Sequence, residues 1–338
     1  MNYRIVLIFY IICSCFSCNH LWFEENTSSD PVRNFEVLWK EFDLNYSYFE
    51  NKKVNWDSIY MVYRAKVTAK TTDPELFDIV SQMTGLLKDG HVSIDAPIGY
   101  STYNFHDSQA PTINWIGIVG LIRYMENLKY PNGAIGYGKL KNRNIGYIQI
   151  STFGNPLSEY RIIDDILRQF ESTKGLIIDL RMNGGGSDKN CAEIVSRFAD
   201  KKRLYRKVRY RNGPQHNDFT DWIEDYIESS GTPYLKSIIV LTNEYCYSAT
   251  EECIVAFREL PYVTIVGDTT GGGSGNPILG ELPNGWIYTM SNWQMVNASM
   301  ISYEGTGIPP DSAVWISKED SIQGIDRILE KAIELIDK

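Results

Sequence analysis

Residues 237–258 read SIIVLTNEYCYSATEECIVAFR, and this stretch decides the predicted fold. The apolar run at its start has the length and the β-branched composition of a buried strand. The segment from residue 248 to residue 258 is amphipathic at helical spacing. A buried strand that passes through a short connection into a helix is the unit from which parallel α/β sheets are built.

The same alternation continues on both sides of this stretch. Strands are predicted at residues 145–150, 175–180 and 263–266, and helices at residues 157–170 and 188–198. Short apolar strands that alternate with amphipathic helices favour an α/β fold with a largely parallel sheet. The sequence therefore predicts one α/β domain over residues 144–338.

The residues before this domain follow two other patterns. Apolar residues at helical spacing predict helices near residues 35–46 and 56–67, and Thr72 with Pro74 marks the start of a third helix. From residue 92 to residue 138, short aromatic-rich runs broken by prolines predict strands and turns. These patterns predict a helical subdomain at residues 34–95 and a β-rich connecting segment at residues 96–143.

The amino terminus is typical of a secretory signal. A basic stretch precedes an unbroken apolar run at residues 5–12, which is shorter than the about 20 residues that span a bilayer. Cys15 and Cys18 each follow a serine in a loose bacterial lipoprotein box. We predict a signal peptide at residues 1–18 with Cys18 lipidated and Cys15 as the second choice, then a polar tether at residues 19–33. An ordinary signal peptide that happens to contain cysteines is the alternative.

This amino terminus predicts a protein that is secreted across the inner membrane. The protein would be periplasmic or anchored to the outer membrane, and a lipid anchor would be its only link to the membrane. The net charge of −9 becomes −10 when residues 1–18 are removed, which argues against a nucleic-acid partner. Three cysteines remain beyond residue 18, namely Cys191, Cys246 and Cys253. Their odd number and their spacing argue against structural disulfides and zinc, so we expect no metal and no cofactor.

Ser248 stands where the central strand gives way to its helix. A serine at that position places its hydroxyl beside the unsatisfied N–H groups at the positive end of the helix, which suits a nucleophile. Glu251, three residues later, also completes a capping box, in which the serine would only satisfy first-turn amides. These residues by themselves leave both interpretations open.

Two other predicted strands end in glycine-rich loops, DLRMNGGG at residues 179–186 and GDTTGGGSGNP at residues 267–277. Consecutive glycines let a backbone turn expose N–H groups without obstruction, which suits an oxyanion pocket. A tight turn that needs positive φ explains the first loop equally well. A phosphate loop is disfavoured because no Gly-Lys-Ser or Gly-Lys-Thr follows. The second loop could border a cleft or simply connect two elements.

A serine nucleophile needs a base, and the chain has four histidines. His20 lies in the predicted tether, and His106 and His216 lie in polar stretches. His91 follows a glycine at the point where a predicted helix gives way to a strand. A lone histidine is more often structural than catalytic, so the pattern makes His91 a candidate without deciding its role.

Five motifs occur in one order along the chain: LKDGH at 87–91, IDLRMNGGG at 178–186, YSATE at 247–251, VGDTTG at 266–271 and EGTGIPPD at 304–311. Together they resemble the carboxyl-terminal processing proteases and the tricorn protease core, over nearly everything from residue 35 to the end. The resemblance implies a crotonase-like α/β catalytic domain, a small helical subdomain and serine-type hydrolysis of peptide bonds. The segment between the helices and the catalytic domain is too short for the PDZ module that processing proteases commonly carry.

The resemblance also implies which residue is the base. In the processing proteases a lysine follows the VGDTTG-type motif, but Gly273 stands at that position and no lysine lies in the loop. The tricorn-like branch instead uses a histidine from the Asp-Gly-His segment and a glutamate, and these positions hold His91 and Glu304. The resemblance therefore implies a base of the histidine type.

The implied mechanism assigns a role to each matching residue. Ser248 would attack the scissile carbonyl, His91 would take its proton, and Glu304 would orient His91 directly or through another side chain. The N–H groups of Gly185, or of its neighbour Gly186, and of Ala249 would bind the oxyanion.

The sequence thus predicts a serine endopeptidase that acts on proteins or peptides of a bacterial envelope. The alternative is a non-catalytic binding module of the same fold, which holds an apolar ligand as in the retinoid-binding repeats of the interphotoreceptor protein, or serves as a protein scaffold. The aromatic content of 13% suits an apolar pocket or a core equally. The presence of Ser248, His91 and Glu304 together favours the peptidase.

Overall fold

The computed structural model describes residues 29–104 and 114–338. The predicted signal peptide, Cys15, Cys18 and residues 19–28 of the predicted tether lie outside these ranges. Within the described ranges, no helix is both long and apolar enough to cross a membrane.

Three helices open the described chain, α1 (Pro31–Asn45), α2 (Trp56–Arg64) and α3 (Asp73–Gly85). Helix α1 starts inside the segment predicted as a tether, because the Asp30 side chain accepts a hydrogen bond from Val32 N (3.0 Å) and a proline follows as the first helical residue. The predicted start at Thr72 is confirmed by a capping box with Glu75.

The remaining elements are, in chain order, β1 (Ser93–Ala96), β2 (Gly99–Thr102), α4 (Gly117–Leu121), β3 (Met125–Lys129), β4 (Ile135–Leu140), β5 (Ile145–Ile150), α5 (Ile163–Gln169), β6 (Gly175–Asp179), α6 (Asp188–Val195), β7 (Arg203–Tyr210), β8 (Ile223–Ile227), β9 (Ser237–Thr242), α7 (Ala249–Arg258), β10 (Val263–Gly267), β11 (Pro277–Glu281), β12 (Ile287–Ser291), β13 (Trp293–Asn297), β14 (Ser312–Ala313), α8 (Lys318–Gln323) and α9 (Arg327–Asp337). The predicted helix at 157–170 is divided into a 3-10 turn at Leu157–Glu159 and α5.

The central sheet has seven strands in the order β14-β10-β9-β6-β5-β4-β3. Strands β5, β6, β9, β10 and β14 are parallel, whereas β4 and β3 add to one edge as antiparallel strands. The prediction of a mixed α/β fold with a largely parallel sheet is thereby confirmed. Because β6, β9 and β10 are neighbours, the loops after their carboxyl ends meet at one edge of the sheet.

Two smaller sheets complete the fold. Strands β11-β12-β1-β2 form an antiparallel sheet whose inner face, with Ile94 and Met290, packs against the aromatic residues of α1–α3. Strands β13-β7-β8 form a third sheet, which the sequence interpretation did not place.

This pairing divides the chain differently from the predicted segments 34–95, 96–143 and 144–338. Strand β1 of the first two segments pairs with β12 of the third, and β3 and β4 join the central sheet. Residues 117–121, predicted within a strand-and-turn region, form a helix. The physical reason is burial, because the apolar side chains of α1–α3 pack against the sheet of β1, β2, β11 and β12, to which strands from before and after residue 144 contribute.

A buried ion cluster joins three parts of the fold. The Arg181 guanidinium donates to both carboxylate oxygens of Asp179 (2.9 and 2.6 Å) and of Asp326 (3.0 and 2.9 Å). The hydroxyl of Tyr147 also donates to Asp179 (2.7 Å), and Asp326 Oδ1 accepts from Leu329 N (3.0 Å) at the start of α9. All side chains of the ion pairs are fully buried. The cluster therefore fixes the ends of β6 and α9 to one another.

We expect Arg181→Met to lower the free energy of unfolding by about 3–5 kcal/mol, because it leaves two buried carboxylates without their cation. Urea denaturation followed by circular dichroism measures this change. Arg327→Met is the matched control, since Arg327 also pairs with two carboxylates but is half exposed. An equal shift of the urea midpoint in both variants would contradict the prediction.

Candidate active site

Ser248 occupies a strained turn between β9 and α7. Its backbone has φ 56° and ψ −129°, a conformation that is rare and unfavourable for any residue with a side chain. Its N–H donates to Gly273 O (3.0 Å) and its carbonyl accepts from the N–H groups of Glu251 and Glu252. The backbone bonds on both sides hold the serine in this conformation.

The alternative in which Ser248 and Glu251 form a capping box is wrong. The Ser248 hydroxyl makes no capping hydrogen bond to helix α7. The Glu251 carboxylate turns to the loop after β10, where it accepts from Gly272 N (3.0 Å), Gly273 N (2.6 Å) and the Thr270 hydroxyl. The serine is thus left free of a capping role, and the glutamate instead fixes the glycine-rich loop.

Glu251 is fully buried, and its electrostatics follow from this position. Burial raises its pKa to about 7, although the hydrogen bonds from Thr270, Gly273 and Gly272 oppose the shift. The same loop contains Gly273, whose carbonyl oxygen accepts the hydrogen bond from Ser248 N. The carboxylate therefore holds the turn at Ser248 in place through one intervening residue, Gly273.

A cavity of about 770 Å³ lies at this edge of the central sheet. It is lined by Gly90, His91, Met182, Gly184, Gly186, Ser187, Asp188, Tyr210, Tyr245, Tyr247, Ser248, Glu252, Gly275, Asn276, Pro277 and Trp293. The structure thus brings Ser248 and His91 to one cavity, to which both glycine-rich loops contribute. No hydrogen bond joins the Ser248 hydroxyl to the His91 ring within residues 29–104 and 114–338. Such bonds are often long before a substrate binds.

His91 lies two residues before β1 and is largely buried, with 10% of its side chain exposed. Its Nδ1 is buried without a hydrogen-bond partner and lies 3.9 Å from Asp89 Oδ1. Burial lowers the pKa of His91 below the usual 6.5; the Asp89 charge opposes this shift and the Lys52 charge adds to it. The lowered pKa favours the neutral form of the ring.

Asp89 holds the segment that carries His91. Its Oδ1 accepts from His91 N (2.8 Å), and its Oδ2 accepts from the hydroxyls of Tyr46 (3.0 Å) and Ser291 (2.9 Å). Tyr46 follows α1 and Ser291 ends β12. One buried carboxylate thus fixes the segment that contains His91 to two other elements.

Glu304 lies near this segment and does not bind His91 directly. Its Oε2 accepts from Ser274 N (2.8 Å) and from the Ser274 hydroxyl (3.0 Å), and its Oε1 lies 2.8 Å from Lys52 Nζ. Lys52 Nζ in turn donates to Lys88 O (3.0 Å). Burial and the nearby Asp89 charge raise the pKa of Glu304, and Lys52 opposes them. Of the two routes predicted for Glu304, only the indirect one is compatible with these contacts.

The glycine loop after β6 lies beside Ser248. Gly185 has φ 106°, and a Cβ there would lie 2.8 Å from the Ser248 Cβ, so glycine lets the loop approach the serine. The Gly185 N–H donates to Asn183 Oδ1 (2.9 Å) and is not available to an oxyanion. The N–H groups of Gly186 and Ala249 have no acceptor among the described residues. Between the two glycines predicted as alternatives, the hydrogen bonds favour Gly186.

Cys246 and metal chemistry are less compatible with this site. The Cys246 thiol is buried and donates to Leu180 O (3.1 Å), and burial raises its pKa, which disfavours the thiolate. In the part of the chain that the structure describes, no group of three His, Cys, Asp or Glu side chains is placed to hold a metal ion.

The profile described as Peptidase family S41 matches residues 144–314, half of the chain. The chain belongs to peptidase family S41. A second profile, the tricorn protease C1 domain, matches residues 30–85. The predicted resemblance to processing proteases and the tricorn core is thereby confirmed.

Individual relatives agree with this S41 membership. The chain is 28% identical to the carboxy-terminal processing protease CtpA of Bacillus subtilis over 173 residues, 50% of this chain and 35% of that one. It is also 28% identical to the tricorn protease of Thermoplasma volcanium over 200 residues, 58% of this chain and 18% of that one. These matches span well under two thirds of the length of the curated relatives.

A solved structure covers more of this S41 chain. The crystal structure of a Parabacteroides merdae protein, assigned as a peptidase, is 37% identical and superposes with a TM-score of 0.83. The superposition covers 91% of this chain and 97% of the other. The helical part and the α/β part of the present fold therefore occur together in that protein.

Sequence interpretation missed three residues that support this S41 site. Asp89 and Tyr247 occur in the motifs at residues 87–91 and 247–251 without a role of their own, and no motif includes Lys52. Lys52 lies far from the other site residues along the chain, so no local pattern indicates its contact with Glu304. Asp89 could have been found, since an aspartate two residues before a candidate base is placed to bind its backbone.

We expect Glu251→Gln to destabilise the protein by about 1–3 kcal/mol, because an amide NH₂ must face one of the N–H donors that the two carboxylate oxygens now bind. Urea denaturation measures the change. Glu259→Gln, at the other end of α7 and only partly buried, is the control with the same chemical change. The proposed role of Glu251 is wrong if both variants unfold at the wild-type midpoint.

Proposed function

We propose that the protein is a serine endopeptidase that hydrolyses peptide bonds of proteins or peptides in a bacterial envelope. The observation that carries this proposal is the strained backbone of Ser248, at φ 56°, in a cavity shared with His91. Strain of this size persists only where the surrounding structure imposes it, and such positions cluster at active sites. Membership of a family of serine peptidases supports the same assignment.

In the proposed reaction the Ser248 hydroxyl oxygen attacks the carbonyl carbon of the scissile bond. Its proton passes to His91, whose Nδ1 is buried beside Asp89 and whose Nε2 is the nitrogen left to face the substrate. The C–N bond then breaks as His91 returns the proton to the leaving amine. Water, deprotonated by His91, releases the acyl group from Ser248 by the same steps.

The negative oxygen of the tetrahedral intermediate needs donors that are already in place. We assign this role to the N–H groups of Gly186 and Ala249, which have no other acceptor in the described ranges. Ala249 is the first residue of α7, so the helix dipole adds to the stabilisation. Gly185 has a steric role in bringing the loop to Ser248.

Glu304 acts on His91 through intervening groups. It pairs with Lys52, which also binds the carbonyl of Lys88 directly before Asp89. Removal of any of these groups would alter the position and charge environment of the His91 segment. We therefore propose Glu304 as a positioning residue that orients the base indirectly.

The finer classification and location remain part of the proposal. A crotonase-like classification is supported by the parallel strand order β10-β9-β6-β5 and by helix α7, which packs against α6, β7 and β10. The envelope location and the lipid anchor at Cys18 rest on the sequence of residues 1–18. A non-catalytic binding module gains no support from the site, because apolar ligand binding does not require a strained serine beside a neutral histidine.

We expect Ser248→Ala to lower kcat/KM on an unfolded polypeptide by at least about 10⁴-fold, as loss of a serine nucleophile does. Release of new amino groups from reduced, unfolded casein measures the rate. Ser321→Ala, in α8 away from the cavity, is purified in the same way as the control. Equal residual activity in the two variants would remove Ser248 from the mechanism.

The acid limb of kcat/KM should lie below pH 6.5, because the base works only as neutral imidazole and burial lowers the pKa of His91. Lys52→Met removes a positive charge that disfavours imidazolium, so the limb should move to higher pH. Asp89→Asn removes a negative charge that favours imidazolium, so the limb should move to lower pH. Shifts in the same direction, or none, would contradict His91 as the titrating base.

A further inference from the structure

Gly273 is a glycine for a steric reason. A Cβ at this position would lie 1.8 Å from Cζ and 2.2 Å from the hydroxyl oxygen of Tyr247, far inside any allowed contact. Its φ lies outside the left-handed region, so the backbone itself would accept another residue. The space in front of Gly273 is filled by the Tyr247 ring. The position where the resemblance expects a lysine base is therefore closed to any side chain.

The same tyrosine contacts the base. Its ring centroid lies 4.9 Å from that of His91, with 39° between the planes. Its hydroxyl oxygen accepts a hydrogen bond from Gly90 N (3.1 Å), the residue directly before His91. Tyr247 is itself buried, and burial raises the pKa of its hydroxyl, which therefore stays protonated.

Tyr247 is also fixed to the nucleophile and to the oxyanion loop. It directly precedes Ser248 in the chain, and its N–H donates to Asn183 O (3.2 Å) in the loop after β6. The ring rests on Gly273, whose carbonyl accepts from Ser248 N (3.0 Å). Tyr247 thus contacts His91, the loop that holds Ser248 N and the loop after β6.

We propose that Tyr247 is a positioning residue that sets the place of His91 relative to Ser248, and that Gly273 is required to make room for its ring. The inference rests on the proposed peptidase function, which makes His91 a base. A tyrosine in the space of the lysine then explains how the site works with a histidine carried by a different sheet. The tyrosine does not transfer protons in this arrangement.

The charged groups around His91 affect its titration midpoint, which can be measured without enzymatic activity. Asp89 faces it from its own segment, Lys52 from the turn after α1, and Glu304 reaches it only through Lys52. Tyr247 adds no charge but keeps water from one face of the ring. Removal of the ring should therefore expose His91 to water and move its titration midpoint upward, toward that of an exposed histidine.

The first test follows the histidine ring protons by NMR during a pH titration of the full chain carrying Ser248→Ala. Tyr247→Leu should raise the His91 midpoint, whereas Tyr247→Phe, which keeps the ring, should leave it near its original place. His216, whose ring contacts Asp43 and Phe49, is the internal reference for intact folding. An unchanged His91 midpoint in Tyr247→Leu overturns the inference, even if the protein proves to be a peptidase.

The second test uses active protein with Ser248 intact. Tyr247→Phe should lower kcat/KM by about fivefold, the loss expected for one hydrogen bond. Gly273→Ala should lower kcat/KM by at least about fivefold when Tyr247 is present. The same substitution should have little effect on kcat/KM in Tyr247→Leu, because the effects of substitutions at two residues in contact are not additive. Equal losses in both backgrounds overturn the inference. Absence of any peptidase activity in the wild type would instead overturn the proposed function and leave the NMR result standing.

Discussion

The structure depends on the buried guanidinium of Arg181. Two aspartates and one arginine taken out of water carry a large desolvation cost, which is offset only when every charged group finds its partners. Asp179 ends β6 and Asp326 caps the start of α9, so these partners lie far apart in the chain. The GGG loop starts three residues after Arg181. The ion cluster thus fixes the chain directly before the glycine loop that lies beside Ser248.

Buried carboxylates also fix two segments close to Ser248 and His91. Glu251 fixes the loop after β10, and Asp89 fixes the segment before β1, each through a buried carboxylate that accepts three hydrogen bonds. Loops that cross a sheet edge have few backbone partners of their own. Buried carboxylates supply fixed acceptors at these places, and they allow a strained serine to persist beside glycine-rich loops.

The sequence predicts most of the central sheet, because its parallel strands are continuous apolar runs with helices between them. The site edge follows from the rule that loops meet at the carboxyl ends of neighbouring parallel strands. The three-stranded sheet of β7, β8 and β13 was not predicted, since β7 and β8 carry charged residues within their apolar pattern and β7 pairs with β13, which comes much later in the chain. The Ser248 capping box was wrong because a local pattern cannot reveal that Glu251 has three donors in a distant loop. The sequence did not predict the contacts of Lys52 and Tyr247 for the same reason, because these contacts join residues that are distant in the chain.

Pairing of β1 with β12 has a consequence for how this protein can be divided. The region matched by the S41 profile begins at residue 144 and contains Ser248, the glycine loops and Glu304, but His91 lies before it. A fragment limited to that region would contain Ser248 and Glu304 without His91. The residues that line the cavity therefore come from both sides of residue 144, and truncation at the boundary that sequence similarity suggests would separate His91 from Ser248.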